Sequence, residues 1–260
     1  MIIYDFEVFK HDWIVVFKDS KTGSYTVIHN DNEALKMAIN DDIYIGFNSK
    51  HYDQYISKAI AADLIPEDVK KLNDYIMGGG QGWEYQPLQG FYFNFSNIDI
   101  RDDMQQTLSL KSIEGHLGLP IKESNVDFNI DRPLTKEELE KVIEYCKYDV
   151  DSTEKIVNLR EDYLKTKANL GKRAGIDVVK AMAMTNAKLT AQMLGAKFVP
   201  RDYGREYVYP DNLDKSVIPN EILEFFDTIH DESITDDELF KTSLDIILGD
   251  MPCTYAWGGV

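Results

Sequence analysis

Five side chains of this 260-residue chain could together do metal chemistry. Asp5 and Glu7 flank Phe6 at the end of a short apolar run, Met1–Tyr4. On a strand, alternate residues share a face, so both carboxylates point one way while Phe6 points into a core. Carboxylates side by side repel each other, and hard divalent cations are their natural partners. An isolated Asp-x-Glu is more often a solvated pair on an edge strand, so the weight falls on what else the chain supplies. It supplies Asp53, shortly after Asn48 and next to Tyr52, and it supplies Tyr145 and Asp149. Four residues apart on a helix, the last two stand on one face. Taken singly, Asp53 reads as a helix cap, Tyr145 as a core residue and Asp149 as a solvated one.

These residues must be positioned by the elements around them. Met1–Phe6, Trp13–Lys18 and Tyr25–His29 read as strands, with a turn at Lys21–Ser24 closing an antiparallel hairpin. Asp31 or Asn32 caps a helix to about Ile39, and Asp42–Gly46 is a buried fourth strand. A helix between strands three and four implies a crossover and a mixed sheet. Asp53 then falls between that strand's carboxyl end and a helix over Gln54–Ala62, where open α/β sheets place ligands. A helix follows over residues 66–76, then a glycine-rich break and an irregular aromatic stretch, Trp83–Asn94. Asn97–Arg101 is a fifth strand followed by Asp102 and Asp103, and Thr107–Leu117 has helical apolar spacing. Beyond the loop 118–134, Thr135 and Glu138 form a capping box for a long helix towards Leu164. Gly175–Ala196, Asn220–Ile229 and Asp236–Leu248 read as further helices.

Charge and composition limit the possible partners. There are 45 acidic and 28 basic residues, a net charge of −17. That counts against a protein gripping duplex DNA through its phosphates alone. The distribution is uneven: residues 201–260 carry 14 acids and 4 bases, whereas Lys165–Lys197 carries 7 bases and a single acid, Asp177. No apolar run approaches the roughly 18 residues of a membrane span. No basic, then apolar, leader opens the chain, so no secretion signal is expected. Cys146 and Cys253 lack metal-type spacing and are expected as free thiols in a reducing compartment.

In order along the chain, the motifs are Asp5-Phe6-Glu7, then Asn48 with Tyr52-Asp53, then Tyr145-Cys146-Lys147-Tyr148-Asp149. Together they resemble the DEDD exonuclease superfamily. The histidine branch of that superfamily places His five residues before the last Asp, where this chain has Glu144. Tyr145 resembles the tyrosine branch instead. The chain is most similar to the amino-terminal proofreading exonuclease of family B DNA polymerases, in particular the protein-primed bacteriophage type. Ser109-Leu110-Lys111-Ser112-Ile113 matches that group's Ser/Thr-Leu-x-x-hydrophobic motif for single-stranded DNA. Lys122, ahead of Val126-Asp127-Phe128, stands where the group carries a lysine that touches the scissile phosphate. Tyr255-Ala256-Trp257-Gly258-Gly259 resembles the Tyr-x-Gly-Gly motif that joins exonuclease to polymerase.

The resemblance implies a ribonuclease-H-like α/β fold, with a mixed five-stranded sheet flanked by helices and a mainly helical C-terminal region. It implies an exonuclease domain over 1–165, a basic helical extension over 166–200 and an acidic region over 201–260 leading towards a polymerase domain. It implies hydrolysis of single-stranded DNA from the 3′ end with two divalent ions about 4 Å apart. One ion lowers the pKa of a bound water and the other stabilises the leaving 3′-oxygen. Magnesium fits such an oxygen-rich site, and manganese should substitute. By the resemblance Asp5 bridges the ions, Glu7 and Asp149 complete one site, and Asp53 is an outer ligand of the second. Tyr145 orients the water and Lys122 meets the phosphate. Asn48, Tyr52, Ser109 and Leu110 bind the unpaired strand, although Tyr52 and Leu110 also suit plain core packing. The expected location is the cytoplasm of a bacterial host. Two other readings stay open: a related nuclease acting on RNA, and a non-catalytic nucleic-acid-binding module that keeps only the fold.

Overall fold

Trp13–Asp19 is the densest run of β-formers in the chain, and in the computed structural model it is a strand buried on both faces. Residues 1–102, 104, 108–197, 211–229, 233–235, 238 and 241–256 are described. They fall into two compact units, Met1–Lys197 and Phe198–Val260.

In the first unit, strands β1 (Ile2–Val8), β2 (Trp13–Asp19), β3 (Tyr25–His29), β4 (Ile43–Gly46) and β5 (Ser96–Asp99) form one mixed sheet. Its order is β3-β2-β1-β4-β5. The first three strands are antiparallel, while β4 runs parallel to β1 and β5 parallel to β4. The expected α/β architecture with a five-stranded mixed sheet is therefore present. β1 is its central strand, which rules out a solvated edge pair for Asp5 and Glu7.

Alternation along β1 builds two cores. Tyr4, Phe6 and Val8 pack beneath α1 (Asn32–Ala38), α2 (Asp53–Ala61) and α3 (Pro66–Met77). Ile3 faces the other way, against Cys146, Val150 and Ile156 of α5 (Lys136–Leu159). Asp5 and Glu7 share the face of Ile3, so both carboxylates look towards α5. β1 pairs with β2 along its whole length but with β4 only at Ile2 and Ile3. The sheet therefore opens beside Asp5 and Glu7, at the carboxyl ends of two parallel strands.

The helix that carries the third motif starts where its sequence signals. The Thr135 side chain accepts from the Glu138 N–H, and Glu138 in turn accepts from the Thr135 N–H. Loop 118–134 is pinned to the sheet by Val126, Phe128 and Ile130, with Phe128 stacked 4.8 Å from Phe9.

Four stretches depart from expectation. The long helix does not run on to Leu164: it stops at Leu159, and Arg160 leaves helical geometry with its guanidinium on the Ile100 carbonyl. α6 (Glu161–Arg173) follows, so the expected boundary at residue 165 falls inside a helix. The expected Gly175–Ala196 helix is two helices, α7 (Val178–Met182) and α8 (Asn186–Met193). Asp177 and Thr185 each cap a new start with their side chains, and Met184 turns into the core between them. Third, α4 spans Leu110–His116, shorter than Thr107–Leu117, with Ser109 as its cap; Thr107 and Asp103 lie outside the described residues.

The fourth departure is in the second unit, where α9 (Asn220–Ile229) forms as expected. The segment read as helix to Leu248 ends instead in a strand, β6 (Ser243–Leu248), paired antiparallel with β7 (Met251–Ala256). Asp236 and several neighbours lie outside the described residues. Leu248 pairs with Met251 across a two-residue turn whose first member, Gly249, has φ +62°. Glycine-first hairpin turns of this kind fix strand pairing, and the β-branched Ile246-Ile247 favours it too. Of the junction-like motif at the end, Trp257, Gly258 and Gly259 lie outside the described residues.

Candidate metal centre

Asp5 is carried by the open half of β1. The Cys146 thiol, one turn before Val150 on α5, reaches back to it and donates to the Asp5 carbonyl at 3.4 Å and to Asp5 Oδ2 at 3.6 Å. The ligand atoms of Asp5, Glu7 and Cys146 lie within 4.8 Å of one another. Asp149 enters from the same face of α5, with Tyr145 beside it one turn earlier. Spacing on one helix and alternation on one strand thus converge, as the sequence pattern requires.

Asp53 arrives from the neighbouring strand end. After Gly46 the backbone turns so tightly that an added Cβ there would lie 2.6 Å from Ser49 Cβ. Asn48 then adopts a left-handed φ of 61°, a conformation Asn tolerates better than most residues. Asp99, at the end of β5, holds this turn: its carboxylate accepts from the N–H groups of Asn48, Lys50 and Arg101 at 2.9, 3.1 and 2.9 Å. The turn delivers Asp53 as the first residue of α2, 2% exposed. Its Oδ1 has no hydrogen-bond partner among the described residues.

The electrostatics follow from burying so many acids together. Asp5 is pushed up to about 8, first by burial and then by the charge of Asp149. Burial, then Asp5 and Asp149, raise Glu7 well above the carboxylate range. Asp53 is raised by burial and then by Asp5, and Asp149 by burial against the opposing pull of Lys111. Tyr145 is likewise driven up by burial and by Asp149, so it stays a neutral hydroxyl at any physiological pH. Such a cluster is stable when ionised only with positive charge among its oxygens. The carboxylate oxygens of Asp5, Glu7 and Asp149, with the orphaned Asp53 oxygen, fit a hard divalent cation.

A cation is already present in the form of Lys111, which the sequence reading did not single out. Its Nζ lies 2.5 Å from Asp149 Oδ1 and 4.8 Å from the centre of the Tyr145 ring. Helix α4 brings it there, and the same helix start presents Ser109, exposed, and Leu110, half-buried. Glu114, one turn on, is 1% exposed. Lys111 has no local signature, since its partner Asp149 on α5 lies far along the chain.

The remaining expected residues are placed as follows. Lys122 lies over the Tyr148 ring at 4.4 Å, and it shares with Tyr145 the wall of an open cleft of about 510 Å³. Tyr148 fixes this loop by donating to the Pro120 carbonyl. Asn48 Oδ1 accepts from Arg101 at 2.7 Å, and Asn48 lines a separate cavity of about 170 Å³ with His51 and Thr185. The Tyr52 hydroxyl donates inward to Asn73 at 2.6 Å, and its ring packs on the core beneath α2 and α3. A second acidic group, His51, Asp99 and Asp102, also has the spacing of a metal site. Its Asp99 is occupied with backbone N–H groups, and Asp102 pairs with Lys50.

A scan against protein-family models finds no match for this chain, and a search of curated proteins finds none either.

Proposed function

We propose that residues 1–197 are a metal-dependent 3′–5′ exonuclease domain acting on single-stranded DNA, and that the chain serves proofreading by a viral DNA polymerase. The observation that carries this reading is the close pairing of Asp5 and Glu7 on β1 beside Asp149, with buried Asp53 holding an unpartnered oxygen, and Asp5, Glu7 and Asp53 raised by burial and by neighbouring carboxylates. A mixed five-stranded sheet flanked by helices is compatible with a ribonuclease-H-like fold.

Two divalent cations, magnesium or manganese, would supply positive charge for attack on a phosphodiester. Asp5, whose charge acts on both Glu7 and Asp53, would hold such ions together with Glu7, Asp53 and Asp149. Tyr145 holds its proton, and so acts as a hydrogen-bond donor that orients water, not as a base. Lys122, on the rim of the cleft, is free to meet an incoming phosphate. Ser109 and Leu110 stand at the start of the helix whose Lys111 touches Asp149, so a strand end passing them reaches the carboxylates. Asn48 and Tyr52, whose polar groups are engaged by Arg101 and Asn73, contribute chiefly by shaping the turn that delivers Asp53.

The test is a gel time course with one 5′-labelled oligonucleotide presented single-stranded, with a mismatched end, and fully paired, in magnesium. Labelled products that shorten stepwise, fastest for the single strand, support the reading. Immediate release of labelled mononucleotide, equal rates on all three, or faster cleavage of an RNA strand of the same sequence contradicts it.

A further inference from the structure

We propose that Glu114 is a positioning residue, the seat to which the Lys111 ammonium moves when a divalent cation takes Asp149. The proposal rests on the metal-dependent reading above.

Glu114 is a charge with no evident reason to be buried. It is 1% exposed, and neither carboxylate oxygen has a hydrogen-bond partner among the described residues. A buried carboxylate in that state is costly, and truncation to an apolar side chain would ordinarily relieve the cost. Its nearest cation is Lys111 Nζ, 3.6 Å from Oε2, one helical turn earlier on α4. That ammonium is at present spent on Asp149, at 2.5 Å. Lys111 therefore stands between two carboxylates, bonded to one and just out of bonding range of the other.

A divalent cation at Asp149 and an ammonium on the same carboxylate repel each other strongly at such distances. The ammonium has to leave. A lysine head on a flexible four-carbon stem closes the gap to Glu114 by a small side-chain rotation. It then gains the hydrogen bonds that Glu114 lacks, and Glu114 loses its unpaired state. The hand-over lowers the cost of metal entry and keeps one positive charge beside the site, one helical turn from where the ammonium now sits.

The experiment is manganese binding by calorimetry on the whole chain, comparing the parent, Glu114→Gln, Lys111→Met and the double variant. Circular dichroism checks the folding of each. Glu114→Gln, nearly isosteric, should weaken manganese binding about tenfold, the scale of coupling between charged neighbours. In the Lys111→Met background the same substitution should change nothing, because no ammonium needs a seat. Lys111→Met alone should bind at least as tightly as the parent. Should Glu114→Gln fail to fold, Glu114→Asp offers the same comparison, since its shorter stem leaves the ammonium farther away. Unchanged binding in Glu114→Gln overturns the hand-over. Equal weakening in both backgrounds overturns it too, by making Glu114 a direct ligand. If the parent itself binds no manganese, the nuclease reading falls first and takes this one with it.

Discussion

Asp5 is the residue on which the chemistry and the stability of this protein pull in opposite directions. Held near 8 by burial and by Asp149, it resists the ionisation that a metal ligand needs. Asp5→Asn should therefore bring magnesium-dependent cleavage to background, and at neutral pH it should raise the melting temperature in chelator. Loss of activity with a lower melting temperature would mean that Asp5 is structural. Tyr145→Phe keeps the ring beside Lys111 but removes the hydroxyl near Asp149, so cleavage should slow by about 10²–10⁴-fold while manganese affinity largely survives. A variant as fast as the parent across pH would leave Tyr145 a packing role alone. Asp5, Glu7, Tyr145 and Asp149 were legible in the sequence because strand and helix periods alone set which residues share a face. Lys111 and Asp99 were not, since Asp149 and the Asn48 turn come near them only by folding, and nothing local marks Glu114 for burial. Tyr52 went the other way: an aromatic next to Asp53 reads as a base-stacking residue, yet its hydroxyl finds Asn73.

The elements that hold the acids make a stability prediction of their own. Asp5, Glu7, Asp53 and Asp149 all have folded-state pKa values raised above those of an unfolded chain. Between about pH 4 and 8 the native state thus binds more protons than the unfolded one, and stability falls as pH rises. The metal-free protein should be most stable near pH 4 on this account and lose stability towards pH 8. Each kcal/mol lost lowers the melting temperature by roughly 2–4 °C. Added manganese should flatten the profile at its alkaline end. Calorimetric melts across that range in chelator, flat or rising with pH, would contradict it. The start of α5 offers a control away from the acids: Thr135→Ala removes a cap worth about 1 kcal/mol, and should lower the melting temperature without altering manganese affinity. That cap was plain in the sequence because its partners are three residues apart. β6 was not, because Ser243–Leu248 carries apolar residues that serve helix and strand alike, and pairing with β7 decides.

At the scale of the whole molecule, the proposed function asks an acidic chain to bind an acidic substrate. The positive charge is local. Even the basic stretch Lys165–Lys197 is not all surface: Lys167 is 3% exposed and donates to the Met182 carbonyl at 3.0 Å, where α6 and α7 meet at Gly171. Binding of a single strand should therefore weaken with salt, but with a shallow slope set by few phosphate contacts. A steep slope would point to a much larger basic surface. Among the described residues, no helix is long and apolar enough to cross a membrane. Four carboxylates on three elements are proposed to form one site for two cations. Anomalous diffraction from crystals grown with manganese tests it most directly. Two peaks about 4 Å apart, bridged by Asp5 and flanked by Glu7, Asp53 and Asp149, are expected. Peaks only at Asp99 and Asp102, or none among the four carboxylates, would contradict it.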